Sequence, residues 1–330
     1  MSNVDRQPDE VECGATPAGA GVEVIRAREV PLGGPRAMTV RRTLPTHERS
    51  MIGAWCFADH YGPDEVTRSG GMNVPPHPHT GLQTVSWLFE GEIEHRDSAG
   101  VEAPVLPGEI NLMSAGFGIS HSEVSTPDTT VLHGVQLWLA LPDRVRNAHN
   151  GFQHYAPPAV ELPDVRAGGP GGTARVFIGE LAGSAAQITT ATPLLGAELV
   201  LNPGARVALA VNEEFEHGVL LDTERLLLDG VALAWGDLGY VGPGLGGIRL
   251  HNPTDAPARA ILLGGAPFDE DIVMWWNFVG RSHEEIVEYR EEWEARAVRF
   301  GSVSGWTDDQ YLPAPPLPTT RLKPRRRSKQ

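Results

Sequence analysis

At 330 residues the chain is longer than one typical domain, and its 41% hydrophobic content supplies apolar material for two cores. The net charge of −15 is uneven: the last ten residues, RLKPRRRSKQ, hold six of the 27 basic groups and no acid, which leaves −21 on residues 1–320. A body that acidic repels nucleic-acid phosphates and acidic lipids, which argues against nucleic acid and membrane as partners.

Residues 1–21 are polar and contain Gly and Pro, and are expected to form a disordered lead-in. Their start, MSNVDRQPDEVECG, lacks the basic and apolar stretches of a secretory signal, and no run of about 18 apolar residues follows anywhere. The two cysteines, Cys13 and Cys56, cannot make a disulfide framework, so a cytoplasmic location is expected and any metal site must use His and carboxylates.

From Val22 onward short strand-like runs (84–89, 92–96, 131–141) alternate with turn signals such as Glu90-Gly91, Asp97-Ser98-Ala99-Gly100 and Pro107-Gly108. This rhythm predicts an all-β fold with a first barrel over 22–162. The run PDVRAGGPGGTA, 163–174, reads as a Gly/Pro-rich inter-barrel loop. A second series of strands (175–181, 198–201, 207–211, 231–235, 260–263) predicts a second barrel over 175–301. Ser282 and Glu285 form an S-x-x-E capping signal, and Ile286, Tyr289, Trp293 and Ala297 recur at helical spacing, which predicts a C-terminal helix packed on a barrel. The Pro-rich and basic tail, 302–330, reads as a solvated, disordered end.

The chemistry concentrates in two segments. In HPHTGLQTVSWLFEG, His77 and His79 stand two residues apart, and in PGEINLMSAGFGISHSE so do His121 and Glu123. On a strand, residues i and i+2 share a face. Carried along an unbulged strand, the parity of His77 and His79 reaches Gln83, Val85, Trp87 and Phe89, so the imidazoles are expected to point into the barrel with large apolar groups. Three imidazoles and one carboxylate suit a first-row divalent metal and leave coordination positions open. Either pair alone is a weak signal, as the second H-x-E, His283 and Glu285, illustrates: it opens the predicted helix, where i and i+2 do not face each other. His95 and Asp97 share a strand face and are read chiefly as a turn-anchoring pair, with orientation of a ligand as the other reading. His133 is read as a hydrogen-bonded core histidine. Between 175 and 265 only His217 and His251 occur, without H-x-H or H-x-E, so the second barrel is expected to hold no metal.

The stretches 42–63, 77–100, 107–123, 132–142 and, more weakly, 266–279 resemble the pirin family of the cupin superfamily. The resemblance implies two tandem cupin-type β-barrels, a bicupin, with one metal, usually iron as Fe(II), held in the first barrel by His77, His79, His121 and Glu123. It also implies an oxygen-dependent dioxygenase acting on a small aromatic substrate, a flavonol such as quercetin, with Glu123 as catalytic base. The alternative it implies is an iron-dependent, redox-responsive regulator that binds a protein partner. Three positions depart from the family pattern: Thr80 and Phe117 stand where Arg is common, and Gln83 where Glu is common. No ligand is lost, but the pocket is less positive.

Overall fold

The computed structural model describes residues 21–32, 38–47 and 49–324. The expected disordered lead-in lies outside the described residues apart from Gly21, as do the last six residues of the basic tail.

Two barrels share one plan, a seven-stranded sheet facing a four-stranded one. In the first, the large sheet runs Gly151–Tyr155, Ile110–Ser114, Leu82–Glu90, Val131–Ala140, Trp55–Glu65, Met38–Leu44, Arg28–Leu32. Its small sheet runs Asn73–His79, Ile119–Ser125, Ile93–Asp97, Glu102–Val105. In the second barrel the large sheet contains Leu238–Val241, Glu216–Leu221, Ala258–Gly265, Leu194–Leu201 and Pro170–Ile178, opposite Arg206–Ala210, Gly247–His251, Arg225–Leu228 and Val231–Ala234. Among the described residues no helix is long and apolar enough to cross a membrane.

The sheets do not follow the expected ranges. Glu23–Ile25 pairs with Leu238–Val241, and Ala159–Pro163 pairs with Pro170–Ile178, so both ends of 22–162 are built into the second barrel. The run 163–174 is accordingly no linker between barrels but the turn of that second hairpin and the start of its return strand.

The central strands of the first large sheet are buried on both faces, which explains their near-continuous apolar runs. One face lines the first barrel and the other packs on the second: Trp87 lies 4.6 Å from Phe177, and Trp55 Nε1 donates to Gly264 O at 3.1 Å. At Gly53 the barrels approach so closely that a Cβ would sit 2.6 Å from Gly265 Cα, and φ is +53°. Only glycine fits there.

The expected parity fails between His79 and Gln83. Gly81, at φ +68° with Val279 O where a Cβ would lie, breaks the run into Asn73–His79 in the small sheet and Leu82–Glu90 in the large one. Beyond the break Trp87 faces the second barrel, while Ser86 points inward and reaches Glu123 Oε1 at 3.3 Å.

The helix His283–Glu294 forms with Ser282 Oγ accepting from Glu285 N, and it ends short of Ala297, which the helical spacing includes. Glu285 completes the cap on Arg281 N at 2.7 Å and also pairs with Arg146. Ile286, Tyr289 and Trp293 bury against Trp275, Phe278, Phe300 and Tyr311.

The tail is not a solvated end through residue 324. Ala314 and Leu322 are buried, Leu317 packs on the same cluster, and Arg290 Nε donates to Pro315 O at 2.7 Å. Ordering such a Pro-rich segment costs less than ordering a free chain, because proline restricts the unfolded state. Removing residues 313–330 is expected to lower stability by about 3 kcal/mol, the burial of one to two leucine side chains. Urea unfolding of the full and shortened chains checks this; identical midpoints would contradict the docking.

Candidate metal centre

The small sheet of the first barrel places the site. His121 pairs across from His77, and Ile119 from His79; a bulge between His121 and Glu123 sets Glu123 opposite Val74. On the other side Ile119–Ser125 pairs with Ile93–Asp97, which puts Glu123 opposite His95 and His121 opposite Asp97. His77, His79, His95, Asp97, His121 and Glu123 are all buried.

Candidate ligand atoms of His77, His79 and His121 lie within 4.8 Å of one another, and so do those of His95, His121 and Glu123. Of the four residues expected from sequence, His77, His79 and His121 come together, while Glu123 groups with His121 and with His95, which was not expected as a ligand. His79 Nε2 and His121 Nε2 are 3.1 Å apart. That is the separation of two nitrogens about 2.1 Å from a shared ion at roughly a right angle.

The hydrogen bonds decide which ring nitrogen is free. Nδ1 of His77 faces Pro75 O at 2.9 Å, and Nδ1 of His79 faces Asn277 O at 3.2 Å. A carbonyl only accepts, so each neutral ring carries its hydrogen on Nδ1 and presents a lone pair at Nε2. His77 Nε2 is buried without a hydrogen-bond partner among the described residues. His79 Nε2 therefore presents its lone pair toward His121 Nε2, 3.1 Å away. Burial pushes the histidines toward the neutral form that a metal needs: His79 down to about 3, His77 and His121 well below their ordinary value, with neighbouring imidazoles adding to the effect in all three. The donor set therefore fits a divalent transition metal.

Around it the barrel interior carries polar groups among apolar walls. Trp138 lies edge-on to His79 at 5.2 Å and stacks on Phe57 at 4.1 Å. Ser86 Oγ also contacts Gln136 Oε1 at 3.0 Å, while Gln136 Nε2 and Tyr61 Oη are buried without partners among the described residues. Burial, reinforced by Glu123, pushes the Tyr61 hydroxyl well above its ordinary value, so it stays a donor.

One contributor has no signal in the sequence. The Asn277 carbonyl reaches His79 from a hairpin, Val273–Trp275 with Phe278–Gly280, some 200 residues away in the chain, and no local pattern marks it. His95 and Asp97 anchor the turn as expected and also contact His121. Asp97 Oδ1 accepts from Ala99 N and Val101 N, anchoring the turn, while Oδ2 faces His95 Nε2 at 3.3 Å and His95 Nδ1 faces His121 Nδ1 at 3.3 Å. The departing positions lie close by. Thr80 is buried in a bridge to Phe278, Gln83 donates to Ser114 Oγ at 2.6 Å, and Phe117 is half exposed beneath the Arg299 guanidinium, 4.7 Å from its ring.

A third group, His60, His133 and Asp222, joins the barrels. Both Nε2 atoms meet Asp222 Oδ1, at 2.6 and 2.5 Å, and Arg259 meets Oδ2 at 3.2 Å. Arg41 Nε donates to His60 Nδ1 at 3.2 Å, so His60 carries its hydrogen on Nε2 and spends it on Asp222. With two guanidiniums beside it and that nitrogen protonated, this cluster is a hydrogen-bonded clasp, unlike the first-barrel group. His133 is thus hydrogen-bonded and buried, and His217 is buried in the second barrel.

Two stacked 7+4-stranded barrels, the first with converging imidazoles, define a bicupin. The chain matches the Pirin family model over residues 37–139 and the Pirin C-terminal cupin domain over 196–301. It is 42% identical over 294 residues, 89% of this chain and 90% of the relative, to a Pseudomonas aeruginosa protein provisionally named a quercetin 2,3-dioxygenase. To a pirin-like protein of Caulobacter vibrioides it is 33% identical over 299 residues, 88% of this chain and 98% of the relative. A crystal structure of quercetin 2,3-dioxygenase from Acinetobacter baumannii superposes with a TM-score of 0.84 at 36% identity, covering 91% of this chain and 96% of that one. The chain belongs to the pirin family of the cupin superfamily.

Proposed function

We propose that His77, His79, His121 and Glu123 hold one divalent transition metal, Fe(II), and that the chain is a cytoplasmic oxygen-dependent dioxygenase acting on a flavonol such as quercetin. The observation that carries this reading is the convergence of three buried imidazoles, with a buried carboxylate beside one of them. The names of the Pseudomonas and Acinetobacter relatives support the substrate class. When bound, the metal supplies Lewis acidity toward a phenolic hydroxyl and an electron-transfer partner for dioxygen.

The chain's own residues supply the rest. Glu123 is the carboxylate available to take the proton of the flavonol hydroxyl, and Ser86 orients it. The Tyr61 hydroxyl and the Gln136 amide offer donors to substrate oxygens, and Trp138, stacked on Phe57, offers an apolar surface to the rings. Burial of the whole group keeps bulk water from the activated substrate.

In air the metal-loaded protein is expected to consume quercetin, measured as loss of flavonol absorbance with release of carbon monoxide, and to do so only with oxygen present. Glu123→Gln is expected to lower kcat by about 10²–10⁴-fold, the usual scale of a lost general base, while retaining metal through its amide oxygen. Parallel loss of metal and turnover would remove Glu123 as the base. No oxygen-dependent loss of any flavonol by the loaded protein would reject the dioxygenase reading.

A further inference from the structure

We propose that Asp97 acts through His95 to fix the tautomer of His121, so that this buried pair sets whether the third imidazole presents a lone pair to the metal. The inference rests on the metal-centre reading above, and its test separates the two.

Each link has one outcome. Asp97 is locked in orientation, because Oδ1 accepts from Ala99 N at 2.9 Å and Val101 N at 3.0 Å. Its Oδ2 then faces His95 Nε2, and a carboxylate oxygen accepts, so His95 donates from Nε2. His95 Nδ1 is left as an acceptor facing His121 Nδ1 at 3.3 Å. His121 must therefore hold its hydrogen on Nδ1, which leaves Nε2 bare, 3.1 Å from His79 Nε2.

The sheet builds this chain of contacts into its register, with Asp97 across from His121 and His95 across from Glu123. The three residues are at most 3% exposed, so bulk water does not average the tautomers, and Phe152 packs on the His95 ring at 5.1 Å. His95 also lies within reach of Glu123 and His121 as a candidate ligand in its own right. Both of its nitrogens are already engaged, one with Asp97 and one with His121, which assigns it to positioning. Metal-bound imidazoles elsewhere gain affinity from such partners, typically 10–100-fold.

The discriminating variant is Asp97→Asn. Its Oδ1 can keep both turn bonds, so the amide nitrogen is presented to His95 Nε2, which must then accept. The His95 hydrogen shifts to Nδ1, and that of His121 shifts to Nε2, where it blocks coordination. In the chelator-stripped full chain, ¹⁵N histidine NMR is expected to show His121 Nε2 unprotonated in the wild type and protonated in Asp97→Asn. Titration with cobalt(II) is expected to show affinity reduced about 10–100-fold at an unchanged melting temperature. His95→Phe, which keeps ring volume and leaves the turn bonds of Asp97 intact, should lower cobalt affinity similarly. Should Asp97→Asn fail to fold, this variant decides the matter. Wild-type cobalt affinity in His95→Phe, or an unshifted His121 tautomer in Asp97→Asn, overturns the proposal. A tautomer shift in a protein whose wild type binds no cobalt would instead sustain the relay and reject the metal centre.

Discussion

Asp222→Ala is expected to cost about 3–5 kcal/mol of folding stability, the scale of breaking a buried charged network by deleting one partner. One carboxylate accepts from His60, His133 and Arg259, three groups drawn from both barrels. Deleting it leaves the His60 and His133 N–H groups and a guanidinium facing a buried gap, beside Arg41. Urea unfolding measures the loss, and a cost below 1 kcal/mol would mean that apolar packing between Trp55, Trp87 and Phe177 holds the barrels without the clasp.

The same cluster gives a pH dependence. Burial alone would raise the Asp222 carboxyl, but hydrogen bonds from His133 and His60 outweigh it and hold the group at about 2. A depressed carboxyl contributes stability that is full above the unfolded value near 4 and is lost as pH falls toward about 2. Burial also lowers His60, against the pull of Asp222, so the unfolded chain takes up a proton near 6.5 before the folded one does. His60 therefore predicts stability falling as pH drops below about 6.5 and Asp222 a further fall below about 4, a part of the curve that Asp222→Ala should flatten. Glu198 and Glu29 add charges of opposite sign near Arg259 and Arg41, so the slope is read as a difference between variant and wild type.

The second large effect concerns the metal. His79→Ala and His121→Ala are each expected to lower metal affinity by about a hundredfold or more, since a site worth roughly 10 kcal/mol or more divides among about four donors. His251→Ala, partly exposed on the second barrel, should leave metal content unchanged. Elemental analysis after dialysis against a weak chelator checks both. Metal retained in a His77→Ala, His121→Ala double variant would reject the ligand assignment.

Much of this is legible in the amino-acid sequence. The i, i+2 spacing of His77 with His79 and of His121 with Glu123 puts each pair on one face of a strand, and strand geometry alone brings both pairs to the inner surface of the small sheet. The alternation of short runs and turns conveyed the two barrels, and Ser282 marked its helix. What stayed hidden depends on partners distant in the chain. Nothing near Asp222 in sequence indicates that His60 and His133 meet it, and nothing near Asn277 indicates His79. The strand break at Gly81 is set by the approach of Val279, so the parity from His79 to Trp87 was carried across a turn that only tertiary contact explains. The tail reads as solvated because its apolar residues are sparse, yet Leu322 and Ala314 are buried in the cluster that also holds Trp293.

The central claim is that one metal sits among the imidazoles of the first barrel. A crystal of the purified, metal-loaded chain measured at the absorption edge of its metal tests this directly. A single anomalous peak bonded to Nε2 of His77, His79 and His121, at about 2.1 Å from each, is the expected result. A peak at His60, His133 and Asp222 instead, or none at the first-barrel cluster in protein that contains a full equivalent of metal, would contradict it.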